Sequence, residues 1–125
     1  MATAVAALLA EVKSLTKGVY FQEWTATVSG VGNPLHAAHL PDKTVYIGAV
    51  TTGSGTSRVY VEGTNGAAAS TATWATLTTP TDGLIDFTGV STPSIKIIRE
   101  NPRMIRPVFL TVTTGETMSV GIICR

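Results

Sequence analysis

The sequence predicts an all-β protein: an antiparallel β-sandwich of about eight short strands, preceded by a short N-terminal helix. From Val19 onward, apolar and polar residues alternate in short segments that Gly, Pro, Asn and Asp separate. Thr occurs 21 times, and its β-branched side chain favours strands. A chain of 125 residues can bury one core of its own. We therefore divide it into a helical assembly arm, residues 1–17, and a sandwich domain, residues 18–125.

An apolar stripe at helical spacing marks the N-terminal arm. Its members are Val5, Leu8, Leu9, Val12 and Leu15. Thr3 would cap the start of this helix and Gly18 would end it. An Ala-rich helix of this length is marginal by itself, so its stripe should be buried against something. We predict that this stripe is an interface for assembly rather than part of the domain core.

Three strands are predicted in the first half of the sandwich domain. They cover residues 19–28, 43–51 and 57–63. In the first, Trp24, Ala26 and Val28 fall on one face because side chains alternate along a strand. Residues 29–42 contain two glycines and two prolines and are predicted to be a loop.

A hairpin is the strongest local prediction. The strand that begins at Arg58 ends in the turn signal Thr64-Asn65-Gly66, and Trp74 lies in the next strand, residues 73–78. We expect Trp74 to lie in the core with Val59, Val61 and Ile105. The tip, residues 66–72, has no large apolar side chain and is expected to be mobile and dispensable for folding.

Four more strands are predicted in the second half. They cover residues 84–88, 95–99, 104–113 and 118–124. In the third of these, Val108 and Leu110 share one face, whereas Ile105 has the opposite parity. A bulge at Arg106-Pro107 would reconcile the two, since proline is found at bulges and edges.

Charge and cysteine content limit the classes of function. A net charge of +1 gives no electrostatic case for nucleic acid or acidic membranes. Only 14% of the residues are charged, and a Thr-rich surface of this kind suits contact with protein, although an ordinary Thr-rich β-protein is the alternative. The single cysteine, Cys124, excludes an internal disulfide. The apolar run of residues 2–10 is too short to span a membrane and lacks the basic start of a signal peptide.

No set of residues in the sequence predicts catalysis or cofactor binding. His36 and His39, with Asp42 nearby, could ligate a metal, but a loop between two prolines is a poor scaffold and loop histidines are the preferred interpretation. No serine lies in a nucleophile-elbow motif. The Gly53-Ser54-Gly55 sequence precedes a strand rather than a helix, so it cannot bind phosphate as a P-loop does. We predict a protein that is not an enzyme, with no cofactor and no metal.

A basic bias marks the last third of the chain. Arg99, Arg103 and Arg106 are interpreted as a possible contact face for an acidic partner surface. The alternative is a solvated face with local ion pairs. Binding of nucleic acid would need exposed aromatic side chains among these arginines, and the aromatic residues occupy strand positions instead.

Several short motifs in the second half resemble the discoidin type of galactose-binding-like jelly roll. They are Tyr60-Val61, Gly63-Thr64-Asn65-Gly66, Trp74, Phe87-Thr88-Gly89 and Pro102-Arg103-Met104-Ile105-Arg106. The resemblance covers about residues 58–124 and implies a jelly-roll sandwich. It does not imply ligand binding, since the protruding ligand loops have no counterpart and Cys124 has no partner for the terminal disulfide of that family.

The whole chain is also similar in style to small virion proteins of tailed bacteriophages, and most of all to capsid decoration, or cement, proteins. The features that carry this likeness are small size, many threonines, few charges, an Ala-rich start and the stretch from Glu100 to Pro107. It implies a homo-oligomer, with a trimer as first expectation, that binds the major capsid protein on the capsid surface after synthesis in the host cytoplasm. The alternative is a carbohydrate-binding or receptor-binding module of a phage tail or fibre.

Overall fold

Two five-stranded antiparallel sheets form a β-sandwich in the computed structural model. It describes residues 11–16, 19–36, 38–48, 57–81, 83–89 and 93–125. The strands of this part are β1 (Glu11–Thr16), β2 (Val19–Ala26), β3 (Gly30–Val31), β4 (Lys43–Ile47), β5 (Arg58–Thr64), β6 (Ala75–Thr76), β7 (Thr78–Thr79), β8 (Gly83–Leu84), β9 (Asp86–Thr88), β10 (Ser94–Ile97), β11 (Met104–Thr111) and β12 (Met118–Cys124). The all-β, antiparallel prediction is confirmed.

The first sheet has the strand order β1-β2-β12-β4-β10. β12, although it follows the others in the chain, lies at the centre and pairs with β2 on one side and β4 on the other. Arg125 extends this pairing, because its backbone N–H donates to the Asp42 carbonyl and its carbonyl accepts from the Asp42 N–H. The sheet is therefore closed by contacts between residues that are distant in the chain.

In residues 11–16, the described part of the N-terminal arm, the predicted helix is not seen. Residues 11–16 form β1, an edge strand that pairs antiparallel with β2 from Glu11 opposite Glu23 to Thr16 opposite Val19. The free edge of β2 supplies backbone hydrogen bonds that an isolated helix of this length cannot match, so tertiary pairing overrides the helical spacing. Residues 1–10 and 17–18 lie outside the described residues.

The second sheet has the order β3-β11-β5-β6, and β9 also pairs with β5. The predicted hairpin is confirmed, since Glu62 and Gly63 of β5 lie opposite Thr76 and Ala75 of β6. β7 and β8 form a separate two-stranded ribbon. The predicted loop of residues 29–42 contributes β3 and a bridge between Leu35 and Ile105.

The core fills the space between the two sheets. Its buried members from the first sheet are Trp24, Ala26, Val45, Ile47, Met118, Val120, Ile122 and Cys124, and those from the second include Val59, Val61, Ile105 and Phe109. Trp24 is the largest of them, and its indole N–H donates to the Asn33 carbonyl at 3.0 Å. Trp24 and Ala26 thus share the inward face as predicted, whereas Val28 lies beyond the strand and is exposed.

The bulge in β11 is not at the predicted position. Ile105, Arg106 and Pro107 pair in continuous register with β5, and the register shifts between Phe109 and Thr111 instead. Ile105 and Phe109 face the core, while Val108 points outward with the opposite parity. Pro107 is tolerated in the strand without a register change.

Candidate functional site

The outer face of the first sheet carries a cluster of exposed apolar side chains, which we call the apolar face. Its members are Phe21, Tyr46, Ile95, Ile97 and Ile123. Ile95 and Ile97 are 66% and 61% exposed, and both belong to the edge strand β10. Ile123 is also exposed, and Phe21 and Tyr46 are half-buried. The outward-facing positions of β4, β10 and β12 include no charged residue, so the patch is uncharged from the centre of the sheet to its edge.

Strand register makes the apolar face continuous. One row across the sheet runs Phe21, Ile123, Thr44 and Ile97, and the next runs Glu23, Gly121, Tyr46 and Ile95. A Cβ at Gly121 would lie 2.5 Å from Cε1 of Phe21, so the Phe21 ring lies directly over this glycine. The rows are neighbours on one side of a pleated sheet and form a single patch, which Glu23 borders on the β2 side.

The outer face of the second sheet is different, and we call it the polar face. Its members are Arg58, Tyr60, Glu62, Asp86 and Arg106, together with Trp74. Arg106 Nε donates to Glu62 Oε1 at 2.7 Å across the β5–β11 pair. Arg58 makes two hydrogen bonds to Asp86, Nε to Oδ1 at 3.0 Å and an Nη to Oδ2 at 2.6 Å. Each of these charges has an opposite charge as its neighbour.

The two ion pairs of the polar face differ in burial. The Arg106 and Glu62 side chains are 20% and 10% exposed, whereas those of Arg58 and Asp86 are 44% and 23% exposed. Between them, Tyr60 is half-buried, and burial, with a further contribution from the Glu62 charge, raises the pKa of its phenol above the ordinary value. The Arg106–Glu62 pair is therefore less screened by water and should contribute more to stability.

Trp74 is not in the core, contrary to the prediction. Its ring is half-buried, and the Arg106 guanidinium carbon lies 3.7 Å from its centroid. Its indole N–H donates to the Ala69 carbonyl at 3.2 Å. The segment that follows β5 turns back, with Thr64 Oγ1 donating to the Thr73 carbonyl, and this turn places the indole over the polar face.

Two buried apolar side chains lie on this side of the second sheet, outside the main core. Met104 and Val108 are almost fully buried, although their outward parity separates them from the inter-sheet cluster. Val108 lies opposite Tyr60 and Met104 opposite Thr64. The polar face thus has a small apolar floor of its own.

The predicted basic contact face is only partly available. Arg99 and Arg103 are exposed, and their backbone N–H groups bond to the Thr78 carbonyl and to Asn65 Oδ1. Arg106 is committed to Glu62 and Trp74, so it is not a free cation for a partner. The sequence could not show this, because the neighbour of Arg106 is set by register across two strands.

Only two of the five residues of the predicted apolar stripe lie within the described residues. Val5, Leu8 and Leu9 lie outside the described residues. Val12 and Leu15 belong to β1, where a helical spacing of three residues has no meaning. Their contact with a partner stays a prediction.

The apolar face was not singled out from the sequence. Ile95 and Ile97 belong to a run in which Ile98, of opposite parity, is also apolar, and Ile123 directly follows the core residue Ile122. With apolar residues on both parities, alternation does not reveal which side is outward. On β10, the absence of a polar residue at the outward positions Ile95 and Ile97 was the signal that could have marked this face.

The groups considered for metal or nucleophilic chemistry are separated. His36 and His39 are exposed. Across the described ranges, no three His, Cys, Asp or Glu side chains come together as a metal site requires. Cys124 is buried, and burial raises the pKa of its thiol, so little reactive thiolate is present at neutral pH. In the same part of the chain, no helix has the length and hydropathy needed to cross a membrane.

Comparison with known proteins shows likeness at the level of fold. No family model and no curated protein sequence matches the chain. Among solved structures it is similar to the SPBc2 prophage-derived protein YomS, with a TM-score of 0.58 and 16% identity over 90% of this chain and 100% of that one. The discoidin resemblance therefore stays a prediction, and the β-sandwich is what the likeness to YomS shows.

Two further solved structures are less similar. They are a cupin domain from Bordetella pertussis Tohama I, with a TM-score of 0.42 and 14% identity over 95% of this chain and 94% of that one, and the K1 cleaved adhesin domain of Lys-gingipain from Porphyromonas gingivalis W83, with a TM-score of 0.44 and 12% identity over 85% of this chain and 73% of that one. Neither carries an argument about function.

Proposed function

We propose that this chain is a non-enzymatic structural protein of a bacteriophage virion, and that it attaches to its partner through the apolar face. The observation that carries the proposal is the pair Ile95 and Ile97, both more than 60% exposed on an uncharged patch. Contiguous exposed apolar surface of this kind marks interaction sites. The prophage origin of YomS, which shares the fold over its whole length, supports the phage assignment.

Within the virion, we propose the role of a capsid decoration protein that binds the major capsid protein on the capsid surface, as a homo-oligomer with a trimer as first expectation. The outward positions of β4, β10 and β12 carry no charge, so burying this part of the sheet against a shell subunit would desolvate no ion there. Complete burial of one isoleucine side chain stabilises a complex by about 1.5–3 kcal/mol.

The test measures binding to capsids assembled from the major capsid protein encoded in the same genome. Ile97→Glu should weaken co-sedimentation with these capsids by at least about tenfold, the equivalent of about 1.4 kcal/mol. Leu84→Glu is the matched control, because Leu84 is 60% exposed but lies on β8, which belongs to neither five-stranded sheet. Both variants should melt within a few degrees of the parent.

Three results would count against this function. Equal binding of the two variants would remove the apolar face from the contact. No binding by the parent would remove the capsid as partner. Cryo-electron microscopy of particles with the chain located in the tail would replace decoration with the tail alternative.

A carbohydrate-binding or receptor-binding module is the second candidate, favoured by the half-buried Trp74 beside Tyr60 and an ion pair. Indole rings serve as platforms for sugars, but here Arg106 covers one face of the ring and the N–H is bonded to Ala69. Only the opposite face of the ring could receive a sugar. A glycan array with the parent and Trp74→Ala tests this: specific binding lost in the variant would favour the second candidate, and no binding by the parent would reject it.

A further inference from the structure

Lys43 is a buried lysine whose described hydrogen bonds both end on uncharged oxygens. It opens β4 on the inward side of the first sheet and is only 2% exposed. Its Nζ donates to the Leu40 carbonyl at 2.6 Å and to Oδ1 of Asn101. Buried ammonium groups are normally paired with carboxylates, because burial without an opposite charge is costly. Lys43 therefore occupies a site that favours the uncharged amine.

The surroundings of Lys43 act in the same direction. Burial lowers the pKa of its amine below the ordinary value, and the nearby Cys124 and Asp42 offset this only in part. Cys124 lies directly opposite Lys43 in the β4–β12 pair. Deprotonation turns the amine into a nucleophile.

Asn101 presents its carboxamide to this amine in a fixed orientation. Its Nδ2 donates to the Ala38 carbonyl at 2.8 Å, so its oxygen, which accepts from Lys43 Nζ, faces the amine. The neighbouring residues hold the segment on both sides. Glu100 accepts hydrogen bonds from the backbone N–H and the hydroxyl of Thr78, and Pro102 is buried against Gly63.

We propose that Lys43 and Asn101 join in an intramolecular isopeptide bond. The lone pair of Lys43 Nζ forms a bond to Cγ of Asn101, the bond from Cγ to Nδ2 breaks, and the amide nitrogen leaves as ammonia with one proton from Nζ. Atoms and charge balance without an oxidant or a cofactor. Asn101 is exposed, so the ammonia can leave into solvent. A fixed intramolecular contact of this kind can be equivalent to an effective molarity of about 10⁵ M or more.

The bond would tie β4 to the connection between β10 and β11, beyond the backbone hydrogen bond that the Ile98 N–H donates to the Lys43 carbonyl. Lys43 belongs to the first sheet, and Asn101 lies in the connection from β10 to β11, which leads to the second sheet. Residues 43–101 would become a closed covalent ring. This inference concerns the covalent structure of the chain and is independent of the proposed function.

Intact-mass spectrometry of the denatured protein tests the bond directly. After incubation in its folded state, the parent should have a mass lower than the mass calculated from its sequence. The difference should equal one ammonia molecule. Trypsin should then release one branched peptide that joins residues 18–58 to residues 100–103, because an acylated Lys43 is not cleaved.

Matched variants separate this bond from other losses of ammonia. A succinimide at Asn65-Gly66 gives the same mass change, but it would persist in Lys43→Arg and Asn101→Ala, whereas the isopeptide bond would be absent from both. Asn101→Asp should lose one water molecule instead. A parent of unreduced mass, or an equal loss in Lys43→Arg, would overturn the proposal. The branched peptide is sought in the parent itself, so the result does not depend on the variants folding.

Discussion

The outer faces of the two sheets arise from the same alternation of side chains. They differ in whether their outward side chains are paired with one another or left exposed to water. On the polar face, Glu62 and Arg106 neutralise each other and the indole of Trp74 covers the guanidinium. On the apolar face, Ile95 and Ile97 remain largely in water. The polar face is satisfied by its own residues, while the apolar face gains free energy only from a partner. Side-chain chemistry on the outward parity, rather than the fold, thus decides which surface would gain free energy from a partner.

Removing one member of the more buried ion pair should have the largest effect. Glu62→Ala leaves Arg106 half-buried beside Trp74 without its carboxylate, and we expect a loss of about 3 kcal/mol in the free energy of unfolding. Chemical denaturation measures it, and Glu62→Gln, which keeps the shape, is the control for packing. A loss below about 1 kcal/mol would show that this pair behaves as an ordinary surface pair and that the polar face is loosely held.

The apolar face should respond to packing instead of charge. Gly121→Ala places a Cβ 2.5 Å from the Phe21 ring, which must then move away, and we expect a cost of about 1 kcal/mol. Gly48→Ala is the matched control on the same face, since its nearest contact would be an ordinary 3.5 Å to Ser119 Cβ. If both substitutions have equal effects in thermal melts, the Phe21 ring does not pack on Gly121.

Salt and the exposed arginines distinguish the two proposed contact surfaces. If the apolar face carries capsid binding, Arg99→Ala with Arg103→Ala should change affinity by less than about threefold, and added salt should not weaken it. If the basic residues carry it, affinity should fall steeply with ionic strength. Co-sedimentation at low and high salt makes the measurement.

The smallest effect expected is a pH dependence on the polar face. Because burial and the Glu62 charge raise the pKa of Tyr60, the folded state favours the neutral phenol. Its contribution is fully present below the unfolded value of 10.0 and is lost as pH rises through the folded pKa. The stability difference between the parent and Tyr60→Phe should therefore change only in alkaline solution. A difference that is constant through this range would contradict the shift.

Local sequence patterns were sufficient to predict most of the strands, but not to predict which surfaces are polar or apolar. The last strand has its predicted bounds, Met118–Cys124, because alternation and turn signals agree there. Residues 11–16 carry a helical stripe as well, and the free edge of β2 decided between the two structures. A single sequence does not contain this information, since it depends on which strands become neighbours.

Trp74 and Arg106 show the same limit at the candidate sites. The size of Trp74 favours burial, but its position depends on a turn that brings it back over β11. Arg106 is part of the basic run in the sequence, but in the fold it pairs with Glu62. The register between β5 and β11 places the two residues opposite each other. The apolar face was visible in principle only at β10, whose outward positions Ile95 and Ile97 include no polar residue.

The central position of β12 also constrains the order of folding. β2 and β4 are made early in synthesis, but they have no direct pairing with each other and are joined only by β12. Until residues 118–124 have left the ribosome, both strands present unpaired edges and an uncovered inner face, which is the condition under which β-proteins aggregate. The first sheet should consequently form late and in one step, and a chain that stalls before β12 would be a substrate for chaperones and proteases.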